Sequence, residues 1–487
     1  MNDRLDQLIS RRSFLRRGAC ASLGMGGLAS QLFTARMVHA ALADGSFNDY
    51  RALVCVFLFG GNDNGNTIIP YDGGSQNYSF YQGARGNLAI PQADLANTII
   101  APGNTGGRRF AFHPAMTDMK ALFDQGNLAL LSNVGTLVEP TTKTAYQNDA
   151  VRVPRQLFAH NWQQEQWQFS TADAIEKFGW GGRVADALQA AGVNASAPVS
   201  MGISIAGANV FLTGRNVTPY AVSPWGARTL TTWGLGNGSE QAITKQAFAD
   251  LLALQNNPAY AGQHAMQKAY ADITQRAVTN SEIVDALLDK PSGVQTPIPE
   301  NNWLASQLHM VARLIEYAQS DLLHNRQIFF VAIGGFDNHD GLVGNGTDPG
   351  PHDTRLAEVN GGLKFFWDAL GDLGMRDQVT TFTASDFGRT YVSNGNGSDH
   401  GWGSDQFVLG GAQVNGGQLY GTYPNLTVDG PEDTGSGRYI PTTSVDAYSF
   451  EMARWMGVPV SEMPTVLPNL TRFLDPTDAA THLGILS

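Results

Sequence analysis

The chain has 487 residues, with 31 Lys and Arg against 43 Asp and Glu and a net charge of −12. That balance argues against nucleic acid as a partner, which needs a basic footprint. Its two cysteines are Cys20 and Cys55, and Cys20 lies in a segment expected to be removed, so no intramolecular disulfide is expected.

The first element is an address. Ser10-Arg11-Arg12-Ser13-Phe14-Leu15 sets an arginine pair before Phe-Leu, and a Gly/Ala-rich apolar stretch runs from Gly18 to Phe33. Ala41-Leu42-Ala43 then offers a small-x-small cleavage site ahead of Asp44, although cleavage after Ala40 also fits. A positive n-region, a short apolar h-region and a small-residue site, in that order, make a secretory signal of the twin-arginine type. The alternative is a chance basic N-terminus on a cytoplasmic protein. Residues 1–43 are expected to be the signal peptide, with the twin-arginine translocase as partner during export. Residues 44–487 are the mature α/β domain, periplasmic or secreted. No permanent membrane anchor is expected, because a spanning helix needs about 20 apolar residues. Without the signal's six Arg and two Asp, 25 basic and 41 acidic residues remain, a charge of −16.

Arg51 to Phe59 is a run apolar from Ala52 onward and closed by Gly60-Gly61, the pattern of a strand buried on both faces of a parallel sheet. Similar runs recur at Leu128–Val134, Ile328–Ile333 and Val379–Thr383. Helical patterns precede them at Pro114–Gln125, Asn302–His324 and Leu356–Leu373. This alternation predicts a doubly wound, mostly parallel α/β sheet. The rhythm breaks at about 181–299, read as a helix-rich insertion or cap. Within it, Val199–Ile205 and Asn209–Gly214 read as a hairpin, and Lys245–Leu288 as helix-rich. Near the end, Thr443-Ser444-Val445-Asp446 reads as a capped helix start, with the helix running to Trp455 and stopped by Gly457.

Ligands in open α/β sheets bind beyond the carboxyl ends of the strands, and four polar clusters follow the predicted strand ends or lie just beyond them. Gly60-Gly61-Asn62-Asp63-Asn64-Gly65-Asn66 places Asp63 after the first strand, with an Asx-type turn as the alternative reading. In Gly334-Gly335-Phe336-Asp337-Asn338-His339-Asp340, Asp337 and His339 can reach one centre. Carboxylate plus imidazole suits Zn, Mn or Fe better than Mg or Ca. Ser385-Asp386-Phe387-Gly388-Arg389-Thr390 offers Asp386 as ligand. Arg389 there is either a bidentate anion binder or a salt-bridge partner of a neighbouring carboxylate. Gly397-Ser398-Asp399-His400-Gly401-Trp402-Gly403 offers Asp399 and His400, or an ordinary surface turn. Together these are the ingredients of a one- or two-metal hydrolase site, in which an ion polarises an ester and generates hydroxide near neutral pH. A polar tract from Thr141 to Gln168, with Thr144, His160 and Asn161, follows the second strand and is expected partly to face this site. His113 reads as a ligand or, slightly favoured, as a helix-start cap. Trp162, Trp167, Trp180 and Trp402 read as sugar-stacking or core residues.

Phe57-Leu58-Phe59-Gly60-Gly61-Asn62-Asp63, Phe112-His113-Pro114-Ala115, Gly334 to His339, Ser385 to Thr390, Asp399 to Gly403 and Ile440 to Asp446 occur in one order behind a twin-arginine signal. In this the chain resembles the bacterial family called domain of unknown function 1501, over essentially the full mature length. That family looks like a remote branch of the alkaline phosphatase, sulfatase and phosphoglycerate mutase superfamily. The resemblance implies an alkaline phosphatase-like α/β fold and an exported hydrolase of phosphate or sulfate esters. It implies one or two divalent ions, Zn or Mn, on Asp63, Asp337, His339, Asp386 and His400, with Asp399 as an extra. An anionic ester or glycan is the expected substrate, bound by Asn62, Asn161 and Arg389, with Thr144, His160 and Arg389 as catalytic candidates. Two departures stand out. Phe387 occupies the place where the superfamily often has a second-metal His. Ala159 stands where relatives carry a Ser, leaving Thr144 as the substitute nucleophile. These departures keep open a non-catalytic envelope or polysaccharide-associated binding protein on the same scaffold.

Overall fold

The computed structural model describes residues 47–72, 76–227, 265–344 and 348–487, with scattered positions between 243 and 253. The expected signal peptide, residues 1–43, lies outside the described residues. The strands are β1 (Arg51–Leu58), β2 (Ile68–Asp72), β3 (Ile99–Ile100), β4 (Arg109–Phe112), β5 (Leu128–Gly135) and β6 (Gly202–Ser204). They continue as β7 (Tyr220–Ala221), β8 (Arg326–Ile333), β9 (Val379–Ser385), β10 (Ser404–Leu409), β11 (Leu419–Gly421) and β12 (Thr443–Ser444). The helices used below are α1 (Tyr78–Arg85), α2 (Thr117–Asp124), α3 (Lys143–Gln147), α4 (His160–Phe169) and α5 (Trp180–Ala190). After them come α6 (Ala265–Leu288), α7 (Trp303–Glu316), α8 (Pro351–Asp372) and α9 (Val445–Trp455).

The main sheet runs β11-β5-β10-β9-β1-β8-β6-β7, with β12 also on β5, and β2, β4 and β3 form a small second sheet. Pairs within the main sheet are parallel except where β10 lies antiparallel between β5 and β9. This is the doubly wound, mostly parallel architecture expected. Strand β1 shows why its sequence is apolar throughout: successive side chains alternate faces, and both faces are covered. Ala52, Val54, Val56 and Leu58 join one core with Leu304, Leu308 and Val311 of α7 and Leu356, Val359 and Leu363 of α8. Leu53, Cys55 and Phe57 join the other, with Trp180, Val184 and Leu188 of α5 and Tyr448 and Met452 of α9. Trp167, Trp180 and Trp402 are buried core residues.

Helix α9 begins as its sequence indicates: the Ser444 side chain accepts from Ala447 N at its first turn. Gly457 follows its end at φ +95°, a conformation that glycine adopts without a Cβ penalty.

The expected hairpin at 199–214 does not form. Only Gly202–Ser204 is a strand, and it pairs in parallel with β8 and β7. Residues 210–213 instead turn across the start of α5, where Phe211 O and Thr213 O accept from Gly182 N and Gly179 N at 2.8 and 2.9 Å. Exposed N–H groups at a helix start need such acceptors. A Cβ on Gly182 would lie 2.2 Å from the Thr213 carbonyl, so the contact requires glycine. Part of the 181–299 stretch therefore lies in the sheet, and α6 sends Val284 and Leu287 into the first core.

The topology brings the polar clusters together. Strands β9, β1 and β8 are neighbours in parallel, with Leu58 level with Ser385 and Ile333. The loops that follow these three residues must therefore emerge side by side. The loop before antiparallel β10 opens at the same end. Gly60, at φ +115°, brings the first loop against the third strand's: a Cβ there would sit 2.5 Å from Asp337 N.

Candidate metal centre

Asp337, from the loop after β8, is the hub. Its Oδ1 lies 3.1 Å from His339 Nε2 and 3.3 Å from His400 Nε2, and the two imidazole nitrogens are 2.9 Å apart. Its Oδ2 lies 3.3 Å from Nε2 of His160, the first residue of α4. One ligand atom each from His160, Asp337 and His400 falls within 4.8 Å of the others.

The proton positions follow from what holds the other ring nitrogen. His400 Nδ1 is 2.7 Å from the carbonyl oxygen of Phe158, so Nδ1 must carry the hydrogen and donate. His339 Nδ1 lies 3.0 Å from an Asp399 oxygen, and His160 Nδ1 lies 2.6 Å from Asp386 Oδ2. Each neutral ring then presents a bare lone pair at Nε2 toward Asp337. His160 Nε2 is buried with no hydrogen-bond partner. Bare nitrogens of His160 and His400 facing the Asp337 carboxylate, with His339 Nε2 beside them, fit a cation. Ligands about 2.0–2.1 Å from one tetrahedral ion sit roughly 3.3–3.4 Å apart, close to the spacings found. Imidazoles fixed through Nδ1 by a carboxylate or a backbone carbonyl are the usual outer support of a metal site.

The surroundings hold these groups in place. Gln164, one helical turn after His160, donates to Asp386 Oδ2 at 2.8 Å, and Asn394 donates to Asp399 Oδ1 at 3.0 Å. The Phe387 ring packs on His160 and His400, with centroids 4.9 and 4.8 Å away. In place of the second-metal His it thus supplies an apolar wall. The Asp386 hydrogen bond raises the His160 pKa, against partial burial. Burial lowers that of His400. Burial would raise the Asp337 pKa, but hydrogen bonding and charge from Arg389, with His160 and His339, bring it below the usual carboxylate value. Asp399 is likewise lowered, first by Asn394 and then by His339.

Not every expected site residue turns toward this centre. Arg389 is buried, and its donors go to Asp337 Oδ1 at 2.6 Å, Gly60 O at 3.1 Å, Ser398 Oγ at 3.2 Å and Ser398 O. It forms the salt bridge that was its alternative reading and orients Asp337. Asn62 is buried too: its Nδ2 donates to Thr67 Oγ1 at 3.0 Å, and its Oδ1 lies 3.1 Å from His352 Nε2. Asp63 is ion-paired with Arg85 of α1, its Oδ1 buried without a partner. Asp386 touches the ring of His160 through Oδ2, while its Oδ1 is also buried and unpartnered. Asn161 is exposed on the first turn of α4. Thr144, on α3, lines a separate cavity with Thr442 and Ser444. Ala159 is the N-cap of α4, where no side chain caps the helix.

A second group, His113, His352 and Asp353, also gathers ligand atoms within 4.8 Å. Here the protons point the other way. His113 Nδ1 accepts from Ala115 N at 3.2 Å, so Nε2 carries the hydrogen, 2.9 Å from Asp353 Oδ1. His113 thus fixes the turn before α2, whose N-cap is Met116 without a side-chain cap, so the expected helix-start cap does not form. His352, fully buried with its pKa lowered to about 4 by desolvation, is neutral.

Sequence reasoning missed Arg85, Asn394 and the Phe158 carbonyl, while Gln164 lay in the polar tract expected partly to face the site. The spacing of four from His160 puts Gln164 on the same helical face.

The profile of a family described as Protein of unknown function (DUF1501) matches residues 50–443. No curated protein matches the chain. Among solved structures, the chain is similar to Ps i-CgsB in complex with k-i-k-neocarrahexaose, at 9% identity over 88% of this chain and 78% of that one, with a TM-score of 0.35. The lipoteichoic acid synthase LtaP from Listeria monocytogenes is similar at 9% identity over 76% and 67%, TM-score 0.31. The PsFucS1 sulfatase from Pseudoalteromonas sp. is similar at 8% identity over 88% and 72%, TM-score 0.32. These likenesses are distant, and the chemistry of the site rests on its own residues.

Proposed function

The chain belongs to the DUF1501 family of proteins of unknown function, and from that footing we propose that it is an exported metal-dependent hydrolase of phosphate or sulfate esters. One observation carries the metal: three histidines whose Nδ1 atoms are engaged aim bare Nε2 atoms at Asp337. The ligands are His160, His339, His400 and Asp337. Asp386 and Asp399, expected as ligands, act instead as outer partners of His160 and His339. Three imidazole nitrogens and one carboxylate suit zinc best, with manganese next. A divalent ion held by three of these groups, with its fourth position open, would polarise an ester or lower the pKa of a coordinated water. Arg389 keeps Asp337 charged and oriented. The Phe387 ring and the α4 start keep the imidazoles in register.

Export rests on the twin-arginine pattern at Ser10–Leu15 and the Ala41-Leu42-Ala43 site. Among the described residues, no helix is long and apolar enough to cross a membrane. The ester class rests on the superfamily resemblance.

A second reading, a binding protein on a hydrolase scaffold, draws on Ala159 at the N-cap of α4 and on Thr144 facing another cavity. The discriminating experiment loads the purified protein with zinc or manganese and offers aryl phosphates, phosphodiesters and aryl sulfates. Metal-dependent turnover of any of them that disappears in Asp337→Ala supports the hydrolase. Metal binding without turnover across the panel leaves the binding protein.

A further inference from the structure

We propose that Arg438 and Phe158 clamp the His400 imidazole in the orientation that aims Nε2 at Asp337, both acting as positioning residues of the metal centre. The assignment rests on the metal reading above for its consequence, while the clamp itself stands on contacts within the chain.

Three contacts close a ring. Arg438 Nε donates to the His400 carbonyl oxygen at 2.8 Å. His400 Nδ1 donates to the Phe158 carbonyl oxygen at 2.7 Å. The Arg438 guanidinium carbon lies 5.4 Å from the centroid of the Phe158 ring, within reach of a cation–π contact. Each of the three residues is thereby held by the other two, and all three are half-buried.

Backbone bonds do not orient the imidazole. Gly401 N donates to Gly388 O at 2.8 Å and fixes the chain beside His400. A half-turn of the ring about its outer torsion would still exchange Nε2 with a carbon. The Phe158 carbonyl selects between the two, because only one of them offers it a hydrogen.

That carbonyl belongs to a strained residue. Phe158 has φ +74°, a conformation in which a bulky side chain is an outlier. Such a residue persists only where its surroundings fix it. Its ring meets Arg438 and also, edge-on, Trp402, with centroids 6.4 Å apart. Trp402 is buried and donates Nε1 to Thr136 O at 2.8 Å. Arg438 is anchored in turn: Thr434 N donates to its carbonyl oxygen at 2.9 Å, and its Nη1 donates to Gly435 O at 3.2 Å.

Phe158 lies two residues before His160, the first residue of α4. The clamp therefore ties the His400 loop to the segment that delivers His160, whose ring centroid is 4.2 Å from that of His400. Two ligands far apart in sequence are set against each other, and Arg438 acts through His400 rather than on the metal.

The test measures zinc affinity by chelator competition in Arg438→Met, Phe158→Leu, the double variant and Arg438→Lys. Each single loss is expected to weaken zinc about tenfold at an unchanged melting temperature of the metal-free protein. Because the two residues act as one unit, the double variant should be about as weak as the weaker single. Arg438→Lys, which keeps a donor and a charge, should recover most of the affinity. In metal-free protein with 15N-labelled histidine, His400 should carry its proton at Nδ1 in wild type and show mixed tautomers in Arg438→Met. That comparison judges the clamp even if wild type takes up no zinc, a result that sinks the metal reading alone. The clamp is overturned if the His400 tautomer is unchanged in Arg438→Met, or if zinc binds that variant as it binds wild type. Single effects that multiply in the double variant, or that merely follow the melting temperature, overturn it as well.

Discussion

His339 Nε2 and His400 Nε2 face each other at 2.9 Å, although each ring has already committed its hydrogen to a partner at Nδ1. Two lone pairs at that distance repel unless a cation lies between them or one ring gains a proton. Asp337, against both, makes a divalent ion the better fit. Four expected outcomes follow from this arrangement and from the fold that supports it.

Removing a supporting carboxylate should weaken the metal without abolishing it. Asp399 fixes the His339 ring through Nδ1. Asp399→Ala is expected to lower zinc affinity about 10–100-fold, the usual effect of losing an outer partner. Competition with a chromophoric chelator reads this out. An unchanged affinity would remove Asp399 from the site.

Arg389 is buried and bound to Asp337, Gly60 and Ser398. Arg389→Met leaves buried acceptors without donors and a carboxylate without its partner. It is expected to cost about 1–3 kcal/mol in urea unfolding of the metal-free protein, the range for buried acceptors left without donors, because Asp337 itself is exposed. A cost near zero would mean that Arg389 is free to serve substrate after all.

Asp405, on β10, accepts from Ser132 Oγ at 2.7 Å and Asn133 N at 3.0 Å, and burial pushes its pKa up to about 6. A folded pKa above the unfolded value means that the folded protein prefers the neutral acid. Its stabilising contribution is full below about pH 4 and lost as pH rises to 6, a swing of about 3 kcal/mol. Asp405→Asn keeps the acceptor but cannot ionise. The variant should therefore gain stability relative to wild type at pH 7 compared with pH 4. Equal differences at the two pH values, measured by urea unfolding, would contradict the shift.

The Ser444 side chain caps α9 by accepting from Ala447 N at 3.1 Å. Ser444→Ala should cost about 1 kcal/mol. A thermal melt showing no change would mean that neighbouring groups satisfy that N–H.

Strand positions were readable because a strand covered on both faces leaves a mostly apolar or β-branched run, apolar in most of β1, β5 and β8 and Thr-rich in β9. Convergence of Asp337, His339, Asp386, Asp399 and His400 was readable too, because parallel neighbours end at one edge. What each residue does there was not. Asp386 directly follows β9 and Asp337 lies in the loop after β8, at the same edge of the sheet. Yet one meets a ring at Nδ1 and the other faces the bare Nε2 atoms, a difference set by how α4 enters the site. Asp63 looked equivalent until Arg85, from a helix of the smaller sheet's layer, took its carboxylate. Spacing along the chain says nothing about such a partner. The failed hairpin at 199–214 has a similar cause: the acceptors that α5 needed were supplied by backbone from the following loop.

The most direct measurement is an anomalous difference map from crystals of the zinc-loaded protein. The account predicts a peak about 2.0–2.1 Å from Nε2 of His160, His339 and His400, with Asp337 completing the set and Asp386 and Asp399 held off on the Nδ1 side. A peak coordinated by Asp63 and Asp386 instead, or no peak at the three Nε2 atoms, would contradict it.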